Sequence, residues 1–361
     1  MDAAFLRAIE AKVEAGGRIG RDEGLRLYRE ADLHDLGRLA GIARSRRGGD
    51  AAWYIVNRHI NYTNVCTNGC RFCAFSRAPG SPEASTMTLD EVIEKARSVE
   101  ADGATELHIV GGCDPGLPLE YYVSMIAELR RRHPRVCLQA FTAVEIASMA
   151  DAAGLSDGDV LRRLKDAGLT ALPGGGAEIF SPRVRGLVCP RKHSGKRWLA
   201  VSREAHLLGI PTNATMLYGH VETLEERIDH LARLRELQDD TGGFLCFIPL
   251  PFHPGNTGLD HLKRTSAVDD LKTIAMARLM LDNIPHIKAF WIMLGARLAQ
   301  VSLAWGADDL DGTVLEERIT HSAGAATPQR MTVDEIRRLI VEAGRTPVER
   351  DTLYSPVSGA V

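Results

Sequence analysis

Aromatic residues are scarce in this chain, at 6% of positions. No apolar stretch approaches the roughly 20 residues that a membrane-spanning helix needs. The 44 basic and 47 acidic residues nearly cancel, leaving a net charge of −3. No excess of one sign exists to draw the chain onto nucleic acid or an anionic lipid surface. Cysteine is sparse and odd in number, 7 in 361 residues. The opening Met1-Asp2-Ala3-Ala4-Phe5-Leu6-Arg7 lacks the apolar core of a signal peptide. An odd cysteine count without an export signal argues against a disulfide framework and for a reducing, cytoplasmic setting. What is present is an ordinary hydrophobic share of 45%, enough for a globular core.

The few cysteines are unevenly placed. Cys66, Cys70 and Cys73 share the run Asn64-Val65-Cys66-Thr67-Asn68-Gly69-Cys70-Arg71-Phe72-Cys73. Thiolates hold iron–sulfur clusters, and a cubane has four irons to ligate. Three ligands with no fourth cysteine nearby leave one iron open, which marks a metal site that does chemistry. A structural zinc site is the alternative. It needs four ligands in tetrahedral array, and His59, seven residues before Cys66, is not at a usual zinc spacing. Cys137 and Cys246 lie in apolar strand-like runs and read as core residues. Cys113 and Cys189 fall in loop-like stretches.

From residue 50 the pattern alternates between strand and helix. Strands are expected at 53–56, 106–110, 136–141, 170–173, 211–217, 244–250 and 286–293, with 308–314 as an eighth. Helices are expected at 119–133, 143–154, 157–168, 196–209, 223–240, 266–283 and 295–304. Another begins at Thr88, where Thr88 and Glu91 form a capping box and Leu89, Val92, Ile93, Ala96 and Val99 share a face. Seven or eight such units predict an α/β fold, a parallel (βα)8 barrel of the TIM type. Residues 1–49 read as an N-terminal helical extension, 50–325 as the barrel, and 326–361 as a C-terminal helical segment with its helix at 332–343. The extension and the last helix are expected to cap the open bottom of the barrel or to support an oligomer. Loops after the strands build the active site of such barrels. The cysteine loop, following the first strand, would lie at that rim.

The cysteine spacing, with Phe72 just before the third, resembles the radical S-adenosylmethionine (SAM) superfamily. Other stretches are similar to the aminofutalosine synthase family: Asn61-Tyr62-Thr63-Asn64-Val65-Cys66, Glu106-Leu107-His108-Ile109-Val110-Gly111-Gly112, and Leu172-Pro173-Gly174-Gly175-Gly176-Ala177-Glu178. So are Thr215-Met216-Leu217-Tyr218-Gly219-His220 and Ile319-Thr320-His321-Ser322-Ala323-Gly324. This resemblance runs from about residue 50 to the end. It implies one [4Fe-4S] cluster whose open iron binds SAM, and SAM as a consumed co-substrate. One electron cleaves the sulfonium and yields a 5′-deoxyadenosyl radical. In the family that radical adds to the enol-ether double bond of 3-[(1-carboxyvinyl)oxy]benzoate. Rearrangement onto the ring and loss of a carboxyl group give 6-amino-6-deoxyfutalosine, in menaquinone biosynthesis. Such a transferase implies a low-potential electron donor such as a flavodoxin or ferredoxin, and neither nucleic acid nor a membrane. The alternatives are two related enzymes, dehypoxanthine futalosine cyclase and the FO synthase subunit.

The resemblance also assigns residues. Cys66, Cys70 and Cys73 would ligate the cluster, and Phe72 would lie beside the adenine. Gly111 and Gly112 stand where the superfamily commonly has Gly-Gly-Glu, with Cys113 replacing the acid; glycine allows a close backbone approach to SAM. Gln139, Thr142 and Glu145 are candidate SAM contacts, since a carboxylate or amide grips a ribose diol. Pro173-Gly174-Gly175-Gly176 offers backbone amides. The two substrate carboxylates call for cations, and Arg77, His220, Arg297 and His321 are candidates. Glu178 and Glu222 are expected to order hydrogen bonds around the site. No motif singles out a catalytic acid or base.

Overall fold

The computed structural model describes residues 1–357. Strands β1 (Ala51–Ile55) and β2 (Asn57–Ile60) form one line interrupted at Val56. They are followed by β3 (Glu106–Ile109), β4 (Cys137–Ala140), β5 (Thr212–Tyr218), β6 (Phe244–Pro251), β7 (His286–Ile287), β8 (Asp309–Gly312) and β9 (Thr346–Arg350). Their ladders are all parallel, in the orders β8-β1-β9, β2-β3-β4 and β5-β6-β7. Isolated parallel bridges join the three sheets: Gln139 with Ala171, Leu172 with Thr212, Lys288 with Asp309, and Arg58 with Leu315. Neighbours therefore succeed one another around a ring, from the β1–β2 line through β3, β4, residues 170–172, β5, β6, β7 and β8 back to the start. This is the TIM-type arrangement, with helices outside and the chemistry at the C-terminal strand ends.

Local signals place most elements. Thr88, Thr142, Thr223 and Thr332 each accept a backbone N–H at a helix start, with a glutamate returning the bond. Helix Leu89–Ala96 ends before Val99, which packs in the following turn. The expected strand 286–293 is corrected. Its ladder stops at Ile287, and Trp291–Leu294 is a short helix. An unbroken apolar run carries no period to separate strand from helix. Here the Trp291 indole N–H finds Gly312 O at 2.8 Å, turning the chain inward.

The N-terminal helices Arg21–Glu30 and Leu33–Gly48 lie against the outer helices Leu224–Thr241 and Ala267–Met280, and helix Ala3–Glu14 packs on Leu33–Gly48. Buried Arg44 ties the third of them to carbonyls of Gly49, Ala51 and Ala307. The segment after 326, expected as helical, also holds a strand. After helix Val333–Glu342, β9 pairs with β1 on the side opposite β8. Arg350 then enters the barrel bottom and donates to Asp309 Oδ2 at 2.7 Å, with both side chains buried. Thr352 donates to Glu106 Oε2 at 2.8 Å, and Tyr354 stacks on His286 at 3.8 Å. The C-terminal segment thus plugs the bottom. Among the described residues no helix is long and apolar enough to cross a membrane.

Candidate active site

A cavity of about 320 Å³ opens at the C-terminal ends of the strands. Two of its lining residues lie in the left-handed region, which side chains other than glycine seldom adopt: Glu178 (φ 50°) and Asp311 (φ 67°). Such conformations persist only where surrounding packing enforces them, and they gather at functional sites.

Cys66, Cys70 and Cys73 all face this cavity, as does Phe72. The loop carrying them is braced from several sides. Cys66 N donates to Arg77 O at 2.9 Å, and Arg71 N to Val188 O at 2.8 Å. Thr67 N donates to Cys113 O at 3.2 Å, and Asn68 Nδ2 to Cys113 Sγ at 3.2 Å. The Cys113 thiol and nearby backbone N–H groups hold the Cys66 thiol well below its ordinary range. Cys70 is raised by the Cys189 thiol and by burial. Two cysteines read as loop residues therefore abut the loop. No three His, Cys, Asp or Glu side chains among the described residues converge at metal-binding distance. The three thiols share one wall, with Cys66 and Cys70 each turned to another cysteine.

Gly111 and Gly112 line the cavity where the chain passes the cysteine loop. A Cβ on Gly112 would lie 2.0 Å from Val65 O, so only glycine permits this approach. Glu145 and Thr142 line the cavity too. The buried Glu145 carboxylate accepts from Tyr62 Oη at 2.7 Å, Gly111 N at 3.0 Å and Thr142 N at 2.7 Å. It ties the end of β3 to the helix after β4. Burial still raises its pKa. Pro173 to Gly176 form the facing wall, and Glu178 pairs with buried Lys192, whose ammonium lies 5.4 Å from the Phe72 ring centre. Gln139 is not on the wall. It stands behind His108, accepting at 3.0 Å from Nδ1.

The four cations expected to meet substrate do not line the cavity. Arg77 pairs with Glu83 at 2.5 Å and donates to Ala74 O at 2.9 Å, holding the cysteine loop. His220 accepts from Val221 N at 2.7 Å and donates to Leu217 O at 3.0 Å, so it fastens its own turn. Glu222 caps that turn and pairs with Arg227. Arg297 is exposed. His321 donates to Glu317 and to Thr327 O, and the Glu317 carboxylate raises its pKa to about 9. Sequence spacing along loops carried no information about which way these side chains turn.

Polar groups from inside the barrel also reach the cavity. His59 of β2 and His108 of β3 stack at 4.5 Å, and Lys288 beyond β7 donates to Asp311 at 2.7 Å. Asn213 and Thr215 of β5 complete the layer. Barrel interiors are ordinarily filled by Val, Ile and Leu. The signal was present as polar residues at alternate positions, Asn57, His59 and Asn61, then Glu106 and His108.

Residues 60–234 match the family model for the radical SAM superfamily, and residues 241–359 match that for the CofH/MqnC C-terminal region. Aminodeoxyfutalosine synthase of Thermus thermophilus is 49% identical over 98% of this chain and 96% of its own length. This chain belongs to the aminodeoxyfutalosine synthase family of radical SAM enzymes. The relative of that name in Streptomyces coelicolor is 45% identical over 98% of this chain and 94% of its own. A 5-amino-6-(D-ribitylamino)uracil–L-tyrosine 4-hydroxyphenyl transferase of Methanopyrus kandleri is 44% identical over 94% of each. Among solved structures, the [FeFe]-hydrogenase maturase HydG superposes with a TM-score of 0.76 at 18% identity, covering 96% of this chain and 76% of its own. Methylornithine synthase (PylB) does so with 0.74 at 17% identity, covering 94% and 97%. These two show the shared fold. The superfamily uses a [4Fe-4S] cluster and SAM, and the donor set here fits both. Three thiols face one cavity, and the buried Asn213 Oδ1 on its wall has no partner.

Proposed function

We propose that the chain adds the 5′-deoxyadenosyl group of SAM to 3-[(1-carboxyvinyl)oxy]benzoate, with rearrangement and loss of a carboxyl group, to give 6-amino-6-deoxyfutalosine for menaquinone biosynthesis. The observation that carries this reading is near-full-length identity of 49% and 45% to two proteins named aminodeoxyfutalosine synthase. Cysteines 66, 70 and 73 hold the cluster, and residues 50–325 form the catalytic barrel. When bound, the cluster supplies the electron that opens the sulfonium of SAM. Phe72, Gly111, Gly112, Thr142 and Glu145 form the wall against which SAM lies. Ile248, Leu250, Phe252, Phe290 and Met293 form an apolar wall of the same cavity. That wall would keep water away from an aromatic substrate bound against it. The electron donor is of the flavodoxin or ferredoxin class.

A second reading has its own observation. The 44% identity to the 4-hydroxyphenyl transferase is nearly as high, and the match over 241–359 spans the CofH/MqnC group. Cyclic dehypoxanthine futalosine synthase of Streptomyces coelicolor is 40% identical over 98% of this chain. One experiment separates the three. The reconstituted chain is incubated anaerobically with SAM, dithionite and each candidate substrate, and products are read by mass spectrometry. The synthase reading expects the adenosyl group inside a larger product. If adenosyl appears only as free 5′-deoxyadenosine, that reading fails.

A further inference from the structure

We propose that residues 315–330 form a strap over the cavity mouth, and that an aromatic ring bound against Ile319 closes it. The proposal deepens the transferase reading and rests on it, because that substrate carries a benzene ring. It begins from a gap in the core. Among the described residues, no apolar side chain between Val314 and Met331 is buried in the core. None of them packs against that core from outside either. A stretch with so few buried apolar contacts belongs to the least stable part of a fold. Yet Glu317, Ile319, Thr320 and Ala323, all from this stretch, line the cavity.

What holds the strap is polar and lies mostly at its ends. His59 N donates to Leu315 O at 3.0 Å, and Lys95 pairs with Glu316. At the far end Thr327 Oγ1 donates to Ile292 O at 3.0 Å, and Met331 N to Thr313 O at 3.1 Å. Between the ends, Arg318 N reaches Asn61 Oδ1 at 3.3 Å, and Asn256 Nδ2 reaches Ser322 O at 3.1 Å. Other bonds are internal. Glu317 accepts from Thr320 N and from His321, which also donates to Thr327 O. The middle is therefore a self-bonded unit. Glu316 (φ 70°) and Gly324 (φ 85°) bracket it with left-handed turns, and a hinge needs only a few such loop positions to absorb rotation.

The apolar surface of the strap identifies what closes it. The strap rests on the turn after β6, where a Cβ on Gly255 would lie 2.8 Å from Ala323 O. Ile319 is half-buried and packs on no core residue, so its side chain is left to the cavity. Phe252, Phe290 and Met293 line the same cavity. An aromatic ring held there would bury Ile319, and removal of apolar surface from water is the gain that closure brings. A purely polar ligand supplies no such gain. Closure over the ring would also keep water from it.

The test is amide hydrogen exchange, read by mass spectrometry, on the reconstituted, unreduced holoenzyme with SAM bound. Without a second ligand, residues 315–330 are expected to exchange at least about a hundredfold faster than β6. The probes are 3-[(1-carboxyvinyl)oxy]benzoate and L-tyrosine, which the name of the Methanopyrus kandleri relative carries. An aromatic that binds by calorimetry is expected to slow exchange over 315–330 by about tenfold and to leave β6 unmoved. In Ile319→Ser that slowing is expected to vanish at an unchanged thermal midpoint, because Ile319 packs on no core residue. A strap that exchanges as slowly as β6 without a ligand overturns the proposal. So does slowing that survives in Ile319→Ser, a midpoint lowered by that substitution, or no slowing by either probe. If the wild type makes the adenosylated product while the enol ether leaves strap exchange unmoved, the strap fails and the reaction stands. If L-tyrosine slows the strap while the enol ether yields no product, the reaction reading fails and the strap stands.

Discussion

Cys66, Cys70 and Cys73 are surrounded by two further thiols, and residue-level substitution tells ligand from neighbour. Replacing any one of the three with alanine is expected to abolish the full complement of about four irons per chain. Cys113→Ser and Cys189→Ser are expected to keep iron near wild-type content. Iron and sulfide analysis with visible absorption checks both expectations. Loss of iron in Cys113→Ser would instead make that residue a ligand. The ligand set was legible because three thiols in one loop are rare enough to carry meaning alone. The cations were not. An arginine near a strand end has several carbonyls within reach, and Arg77 takes three of them. His59 went unread as a site residue for the opposite reason. A single histidine in a short strand shows its meaning only once its neighbours in the next strand are known.

At the scale of elements, the cysteine loop and the glycine pair after β3 are one unit. Gly112→Ala would push a methyl group into Val65 O, and overpacking of this kind costs about 1–3 kcal/mol. A lowered thermal midpoint together with weakened cluster retention is the expected result. The segment after β8 is expected to respond to pH. His321 is charged and donates to Glu317 and Thr327, with its pKa raised from 6.5 to about 9. A raised pKa means that the stabilisation is fully present below pH 6.5 and is lost as pH rises through about 9. Amide exchange over residues 319–327 is expected to speed up across that window beyond its intrinsic pH dependence. His321→Gln should remove the excess. Most helices and strands were readable from caps and periodicity. The short helix Pro182–Val188 was missed although Ser181 and Pro182 form a regular start signal. Strand β9 was missed because its partner lies far away in the chain.

For the whole molecule, the barrel is closed at one end by its own C-terminal segment and open at the other. Arg350 is the centre of that closure, and both it and Asp309 are buried. Arg350→Met leaves Asp309 as an unpaired buried charge, which costs about 3–5 kcal/mol. Urea unfolding is expected to show a midpoint lowered accordingly, with the slope little changed. The double variant Arg350→Met with Asp309→Leu should recover much of that loss, because a matched apolar pair removes the stranded charge. Alternation and length made a barrel readable from sequence. The plug was not, since Arg350 looks like any surface arginine until β9 is paired.

The pairing of β9 with β1 sets an order of events in the cell. Tyr54 and Glu349 touch although they lie 295 positions apart. At about 5–20 residues per second, a ribosome needs roughly 15–60 s to deliver the second after the first. For most of that interval β1 has neither of its two neighbours, and the cysteine loop stands on an unfinished wall. Iron and sulfide delivered after β9 has paired would meet a finished wall, so cluster assembly is expected to follow the pairing of β9.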